Sequence, residues 1–426
     1  MAERQRLNTG EPGNLAKELQ GFLLERIKGQ ERAVRALVSI MDLFQASFRE
    51  ADRPICAALF LGPSGVGKTL VAEVLAEFFF GSRNSLTKVS CADYQEEHNI
   101  ASLKGSPPGY IGYSDPKDSN SEPLLSQFNI DKHDYWHQRR TSKEIQEANK
   151  KTKALFKERE MLTNLLGELK GNEKHASYQE ASKRIKKIDK ELAELFIQYL
   201  NYLPAKNYRS VILFDEIEKG NRTLHQLLLE ILDKGKLTLA NGIVTSFTNS
   251  FIILTSNTGS QKIADILNKK KIGFRIALEQ GGSLSPATEA DDLIYQESIK
   301  EASRVFPPEF LGRLDTKIVF RPLSRDNLKE ILEIHFQNLR DLIFNKKLQV
   351  ILLIEEAVKE FIVNEAADRL EYGARLLKNK VQKYLKEPLS RLVNREELKS
   401  GDVIRVCLED NGKKKIVFYK EIKETL

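Results

Sequence analysis

Eight residues, Gly62-Pro63-Ser64-Gly65-Val66-Gly67-Lys68-Thr69, have types and spacing suited to holding phosphate. Glycines at 62, 65 and 67 let backbone N–H groups turn inward around phosphate oxygens. Lys68 supplies a cation for the β and γ oxygens, and Thr69 a hydroxyl for Mg2+. Leu70 completes the predicted nucleotide-binding set. Further along, Val211-Ile212-Leu213-Phe214 ends in Asp215 and Glu216, an apolar strand that delivers two carboxylates to its last residue. In open α/β sheets that edge is where ligands bind. Asp215 suits Mg2+ and Glu216 suits a base that orients and polarises an attacking water. Together the two motifs predict ATP and Mg2+ as cofactors. An acidic pair at a strand end is on its own often only a solvated edge; the upstream glycine loop gives this one its meaning.

These groups need strands and helices to position them. The run from Ile55 to Leu61 is continuously apolar and bounded by Pro54 and Gly62, which reads as a strand buried on both faces. A helical pattern from Leu70 to Phe80 follows, so the glycine loop lies between strand and helix as its chemistry requires. Leu86 to Cys91, Val211 to Phe214 and Phe251 to Leu254 are further strand candidates, and Leu15 to Phe48 reads as two helices broken at Gly29-Gln30. Strands alternating with helices predict an α/β fold with a mostly parallel sheet. Between 115 and 206 the composition turns to Lys, Glu, Gln and Ala with apolar spots at helical spacing, and Gly171-Asn172 interrupts it; the reading is an inserted helical hairpin. Gly281 to Glu289 reads as a loop. After Pro322, three amphipathic helices (Leu328–Phe344, Glu355–Ala366, Ala374–Leu392) and two strands (Val403–Leu408, Lys415–Tyr419) read as a smaller C-terminal unit. The predicted division is therefore 1–321, with the insertion at 115–206, and 322–426.

Composition narrows the classes. The chain has 426 residues, 41% hydrophobic and 30% charged, with net charge +7. That is enough apolar material for a real core. A mild basic excess fits nucleotide phosphate as well as nucleic acid. Cys56, Cys91 and Cys407 are scattered, with no metal spacing and no disulfide framework. A polar N-terminus and the lack of any apolar stretch of about 18 residues make the cytoplasm the expected location and exclude a membrane partner.

Six segments in order give the chain a specific resemblance. Gly105-Ser106-Pro107-Pro108-Gly109-Tyr110-Ile111-Gly112-Tyr113 resembles the first pore loop of the second ATPase module of ClpA, ClpB and ClpC. Val211–Lys219 resembles their Walker B, Leu229–Leu239 the segment after it, Phe251–Gly259 their sensor 1, Phe306–Asp315 their arginine-finger segment, and Tyr372-Gly373-Ala374-Arg375 their sensor 2. The resemblance implies an AAA+ ring motor, a Clp-type unfoldase or disaggregase assembled as a hexamer and acting on protein substrates. It implies that Asn257 binds the γ-phosphate and water, and that Arg313 is a finger given to the neighbouring subunit. Such fingers are worth roughly 10³–10⁵ in rate. It implies that Arg375 reports nucleotide state from the smaller unit. Gly109, Tyr110, Ile111 and Gly112 would form the substrate grip, with Tyr110 intercalating between side chains of an extended polypeptide.

Two departures leave readings open. About 28 residues precede Gln30-Glu31, which resembles the opening of the family's ATPase module, so substrate choice is expected to come from elsewhere. The hairpin is then either an arm for substrate, adaptor or neighbour, or a surface decoration. Ile272, Gly273 and Phe274 resemble the tripeptide with which ClpA- and ClpX-type unfoldases dock on a ClpP-like peptidase; an ordinary packed turn is the competing reading. The alternative function is an AAA+ switch or loader acting on nucleic acid, or a partner-sensing ATPase, through the hairpin basics Lys183, Arg184, Lys186, Lys187 and Lys190. Few aromatics accompany them for base stacking, which disfavours nucleic acid.

Overall fold

A computed structural model describes residues 10–105, 122–141, 143–168, 176–201, 208–263, 265–266, 287–345, 350–367, 373–410 and 412–421. In chain order its elements are α1 (Asn14–Arg26), α2 (Glu31–Gln45), β1 (Cys56–Leu61), α3 (Lys68–Phe80), β2 (Thr87–Ser90), α4 (Ala101–Lys104), α5 (Gln127–Thr141), α6 (Lys143–Glu168), α7 (Ala176–Asn201), β3 (Ser210–Asp215), α8 (Arg222–Lys234), β4 (Lys236–Thr238), β5 (Val244–Ser246) and β6 (Ser250–Ser256). There follow α9 (Ala287–Val305), α10 (Pro308–Gly312), β7 (Thr316–Val319), α11 (Arg325–Asn345), β8 (Ile351–Ile354), α12 (Glu356–Ala367), α13 (Gly373–Val381), α14 (Glu387–Asn394), β9 (Val403–Asp410) and β10 (Lys414–Glu421).

Five strands form one parallel sheet in the order β2-β3-β6-β1-β7. The apolar runs of β1, β3 and β6 are fully buried because both faces are covered, and their side chains alternate between two cores. Ala57, Leu59, Leu61, Ile212, Phe214, Ile252 and Leu254 pack with α8 on one face. On the other, Cys56, Ala58, Phe60, Val211, Leu213, Phe251 and Ile253 pack with α1, α2 and α3. Each large buried side chain contributes about 1.5–3 kcal/mol, so this sheet is the rigid frame. Parallel pairing aligns the carboxyl ends of β1, β3 and β6, with Leu61 beside Ser256 and Phe214 beside Leu254. The phosphate loop, the acidic pair and Asn257 therefore leave the sheet on one edge.

A third core holds the C-terminal part: Leu328, Leu332 and Phe336 of α11, Val358 and Ile362 of α12, Leu377 and Val381 of α13, and Ile404 and Val406 of β9. Here the structure adds to the sequence reading. β8 pairs parallel to β9, making three strands in the order β10-β9-β8 where a pair is expected. The helix expected over Ala374–Leu392 is α13 and α14 joined by a π-helical turn at Gln382–Lys386. Nor does the sequence pattern mark β7 or the β4–β5 hairpin, both only three or four residues long. The predicted Gly281–Glu289 loop yields at its end, where α9 already runs from Ala287. The insertion divides as well: α5 packs on the sheet layer against β3 and α3, while α6 and α7 form the hairpin. Among the described residues no helix is long and apolar enough to cross a membrane, and none form a group of three or more potential metal ligands.

Candidate functional site

Gly67, at φ +103, ends the loop after β1, and α3 begins at Lys68 with its amino end toward the loop. Lys68 is 7% exposed. Its ammonium donates to the Gly62 carbonyl at 2.6 Å, the Pro63 carbonyl at 2.7 Å and Asn257 Oδ1 at 2.9 Å. Burial pulls the Lys68 pKa down to about 8 against the pull of Glu218, Asp215 and Glu216, and the Arg375 charge adds to the lowering.

Asn257 lies one residue beyond β6 and bridges two charged groups. While Oδ1 accepts from Lys68, Nδ2 donates to Glu216 Oε1 at 3.1 Å, and the Asn257 N–H donates to Glu218 Oε1 at 3.0 Å. Glu216 sits at φ +58, a left-handed conformation that costs a non-glycine residue about 1–3 kcal/mol. Its N–H donates to Thr255 Oγ1 at 3.0 Å, and Lys219 Nζ contacts Oε2 at 2.5 Å. Backbone strain of this size persists where surrounding bonds over-determine it, and it aims the Glu216 carboxylate at the relay.

Asp215 divides its two oxygens. Oδ1 accepts from Thr255 Oγ1 at 2.6 Å and from Thr69 Oγ1 at 3.2 Å, while Oδ2 pairs with Lys88 Nζ at 3.0 Å. Burial alone would raise its pKa; the bonds from Thr255, Lys88 and Thr69 outweigh burial and hold the carboxyl below its ordinary range. A hydroxyl beside a carboxylate is a hard-oxygen donor set, which fits Mg2+.

From the C-terminal part, α13 meets the phosphate loop directly. The Ala374 N–H donates to the Gly65 carbonyl at 2.9 Å. Gly373, at φ +52, lies so close that a Cβ there would stand 2.5 Å from the Gly65 carbonyl oxygen. Arg375 is exposed on the same helix. Pro63, Ser64, Gly65 and Val66 form the loop and half-buried Leu70 lies in α3.

Arg313 is elsewhere. It immediately follows α10, two residues before Asp315, whose N–H donates to the Ala57 carbonyl at 2.9 Å. That is the amino edge of the parallel sheet. About five residues of β1, some 16 Å, separate it from the phosphate loop. Its guanidinium pairs with Asp233 near the end of α8, and both side chains are about 40% exposed. Gly109, Tyr110, Ile111 and Gly112, and Ile272, Gly273 and Phe274, lie outside the described residues.

The sequence reading singles out no role for Lys88, Thr255, Glu218 or Gln30. Lys88 falls on a strand whose pattern shows only alternation, and Glu218 and Thr255 lie inside segments already read as motifs. Gln30 is 4% exposed and donates to the Val66 and Arg321 carbonyls at 3.3 and 2.8 Å, which ties the phosphate loop to the chain after β7.

A parallel sheet with a glycine-rich loop after β1, an acidic pair at the end of β3 and a half-buried asparagine after β6 defines a P-loop ATPase domain of the AAA+ type. The chain belongs to the AAA domain family (Cdc48 subfamily), whose model matches residues 53–117 and 147–317. Residues 323–406 match the C-terminal D2-small domain of ClpB protein. The chain is 29% identical over 405 residues to a ClpA homolog, an ATP-dependent Clp protease ATP-binding subunit of Guillardia theta, covering 95% of this chain and 38% of that protein. It is 29% identical over 393 residues to the chaperone protein ClpB of Helicobacter hepaticus, covering 92% and 33%. The chain thus spans about a third of the length of these relatives. A closed-state cryo-EM reconstruction of Hsp104 with ATPγS and FITC-casein shares the fold, with TM-score 0.61 and 20% identity over 95% of this chain and 51% of that one.

Proposed function

We propose that this chain is the ATP-hydrolysing module of a Clp-type ring motor that pulls polypeptide through a central pore. The observation that carries the reading is the relay from Lys68 through Asn257 to Glu216 at the carboxyl edge of the sheet. In it Glu216 accepts a proton at its carboxylate from the attacking water. The Asn257 amide holds that carboxylate and the Lys68 ammonium at a fixed separation. Lys68 exchanges its loop carbonyls for phosphate oxygens, which offsets the cost of its burial. Thr69 and Asp215 would hold Mg2+, which neutralises phosphate charge when bound.

Arg313 acts in trans in this proposal. Its position on the opposite edge of the sheet supports that, because it is too far from its own subunit's phosphate loop to serve it. A finger given to a neighbour closes into a ring, here a hexamer. The contact of α13 with the loop supports a role for Arg375 in coupling nucleotide state to the unit at 322–426, taken as distinct from 1–321. Tyr110, with Gly109, Ile111 and Gly112, is the proposed grip, and Ile272-Gly273-Phe274 the proposed contact for a ClpP-like peptidase. Action in the cytoplasm on protein substrates belongs to the same proposal.

The test is a paired assay of ATP hydrolysis and unfolding of a tagged substrate. Tyr110→Ala should keep hydrolysis and lose unfolding; retained unfolding refutes the threading reading.

A further inference from the structure

At the amino edge of the sheet, where Arg313 sits, one side chain outside every motif binds two other pieces of chain. Arg53 lies three residues before β1 and is 27% exposed. Its Nη2 donates to the Arg313 carbonyl at 2.5 Å and pairs with Asp315 Oδ1 at 3.2 Å. Its Nε donates to the Leu232 carbonyl at 3.3 Å, next to Asp233, the carboxylate that pairs with the Arg313 guanidinium. Asp315 is fixed in turn, since its Oδ2 accepts the Ala57 N–H at 2.6 Å. Close packing supports the same junction: at Gly235, φ +56, a Cβ would lie 2.6 Å from the Asp52 carbonyl oxygen.

We propose that Arg53 is the positioning residue for the arginine finger. It fixes the backbone at Arg313 from below and holds the end of α8 that carries Asp233, so the guanidinium starts from one defined place. The inference rests on the proposed trans role of Arg313. The physical need is plain. A finger on a surface corner has few neighbours of its own, and a displacement of about 1 Å at a reacting group costs about 10²-fold in rate. A planar guanidinium donates in several fixed directions at once, which an ammonium cannot reproduce. Arg53 would therefore act on the neighbour's site and leave its own nucleotide site unchanged.

Subunit mixing tests this with the full chain. Arg53→Gln rings should bind a fluorescent ATP analogue within about twofold of the parent, with turnover down about 10²-fold. Arg53→Lys keeps the charge and the pairing with Asp315; it should fall between the two and safeguards the test if Arg53→Gln folds poorly. Glu216→Gln subunits have intact fingers and dead sites, so adding them to Arg53→Gln or Arg53→Lys subunits should raise turnover severalfold above that variant alone. An Arg313→Ala series with the same partner runs alongside. If Arg313→Ala is rescued by mixing and neither Arg53 variant is, the positioning role is overturned and the finger stands. Should Arg313→Ala not be rescued either, the trans finger itself fails and the inference falls with it. Weakened analogue binding by Arg53→Lys would show an effect on its own site and also overturn the proposal.

Discussion

The carboxyl edge of the sheet and the α6–α7 hairpin are both rich in charge, yet they use it in opposite ways. At the sheet edge, Lys68, Asn257 and Glu216 are bonded in a buried or half-buried relay, and Thr69 and Thr255 hold Asp215 beside it. Removing any member leaves a desolvated partner behind, which is expensive. On the hairpin, Arg184 pairs with Glu158 at 2.7 Å and Arg159 with Asp189 at 2.7 Å, the first pair half-exposed and the second exposed. Such pairs gain little from Coulomb attraction because water screens them. Apolar residues also remain outside there, Phe156 at 56% and Met161 at 62% exposure, while Leu155 and Ile188 are buried. One region is built around groups that must not move; the other holds together by its own seam and presents its outer face.

Four experiments can break or sharpen this contrast. The largest effect is expected from Glu216→Gln, which keeps the shape of the relay and removes its proposed base. Phosphate release should fall about 10³-fold while nucleotide affinity stays within about twofold; normal turnover would remove Glu216 from the chemistry.

Next comes the root of the hairpin, where α5 meets the sheet. Burial holds the Asp131 carboxyl up at about 6 against 3.8 ordinarily; the Gln127 amide opposes this and Asp134 adds to it. The native state then binds more protons than the unfolded chain between about pH 4 and 6. Its contribution to stability is full below about pH 4 and is lost as pH rises through about 6. A fully buried group with this shift would account for about 3 kcal/mol, and screening at a part-exposed carboxylate cuts it to about 1–2 kcal/mol. Asp131→Asn should raise stability by that amount at pH 8 and flatten the profile between pH 4 and 6, as read by denaturant melts.

Gly373→Ala probes a close contact between the phosphate loop and α13. The new Cβ meets the Gly65 carbonyl and the left-handed φ is strained, so nucleotide affinity should fall about fivefold, equivalent to about 1 kcal/mol. Unchanged affinity would uncouple α13 from the site. The smallest effect is expected from replacing 142–207 with a short Gly/Ser linker. Nucleotide affinity and basal hydrolysis should change less than about twofold, because sites this far apart act independently; a large loss would show that the hairpin belongs to the site.

What the sequence determined by itself is local. A fully apolar strand, a glycine loop and a helix in succession specify the phosphate loop, since each has its own composition and spacing. Val211–Phe214 and Phe251–Leu254 are legible as central strands for the same reason, and Asp215, Glu216 and Asn257 follow directly from their ends. Tertiary structure decided what depends on pairing at long range. β7 and β8 are short and their period-2 signal is weak; neighbours β1 and β9 make them strands by supplying a ladder. Lys88 reaches Asp215 only because β2 lies beside β3, and Gln30 reaches Val66 and Arg321, 36 and 291 positions along the chain. That Arg313 stands on the edge opposite Lys68 follows from the parallel sense of β1 and β7, and no spacing in the sequence encodes a direction in space.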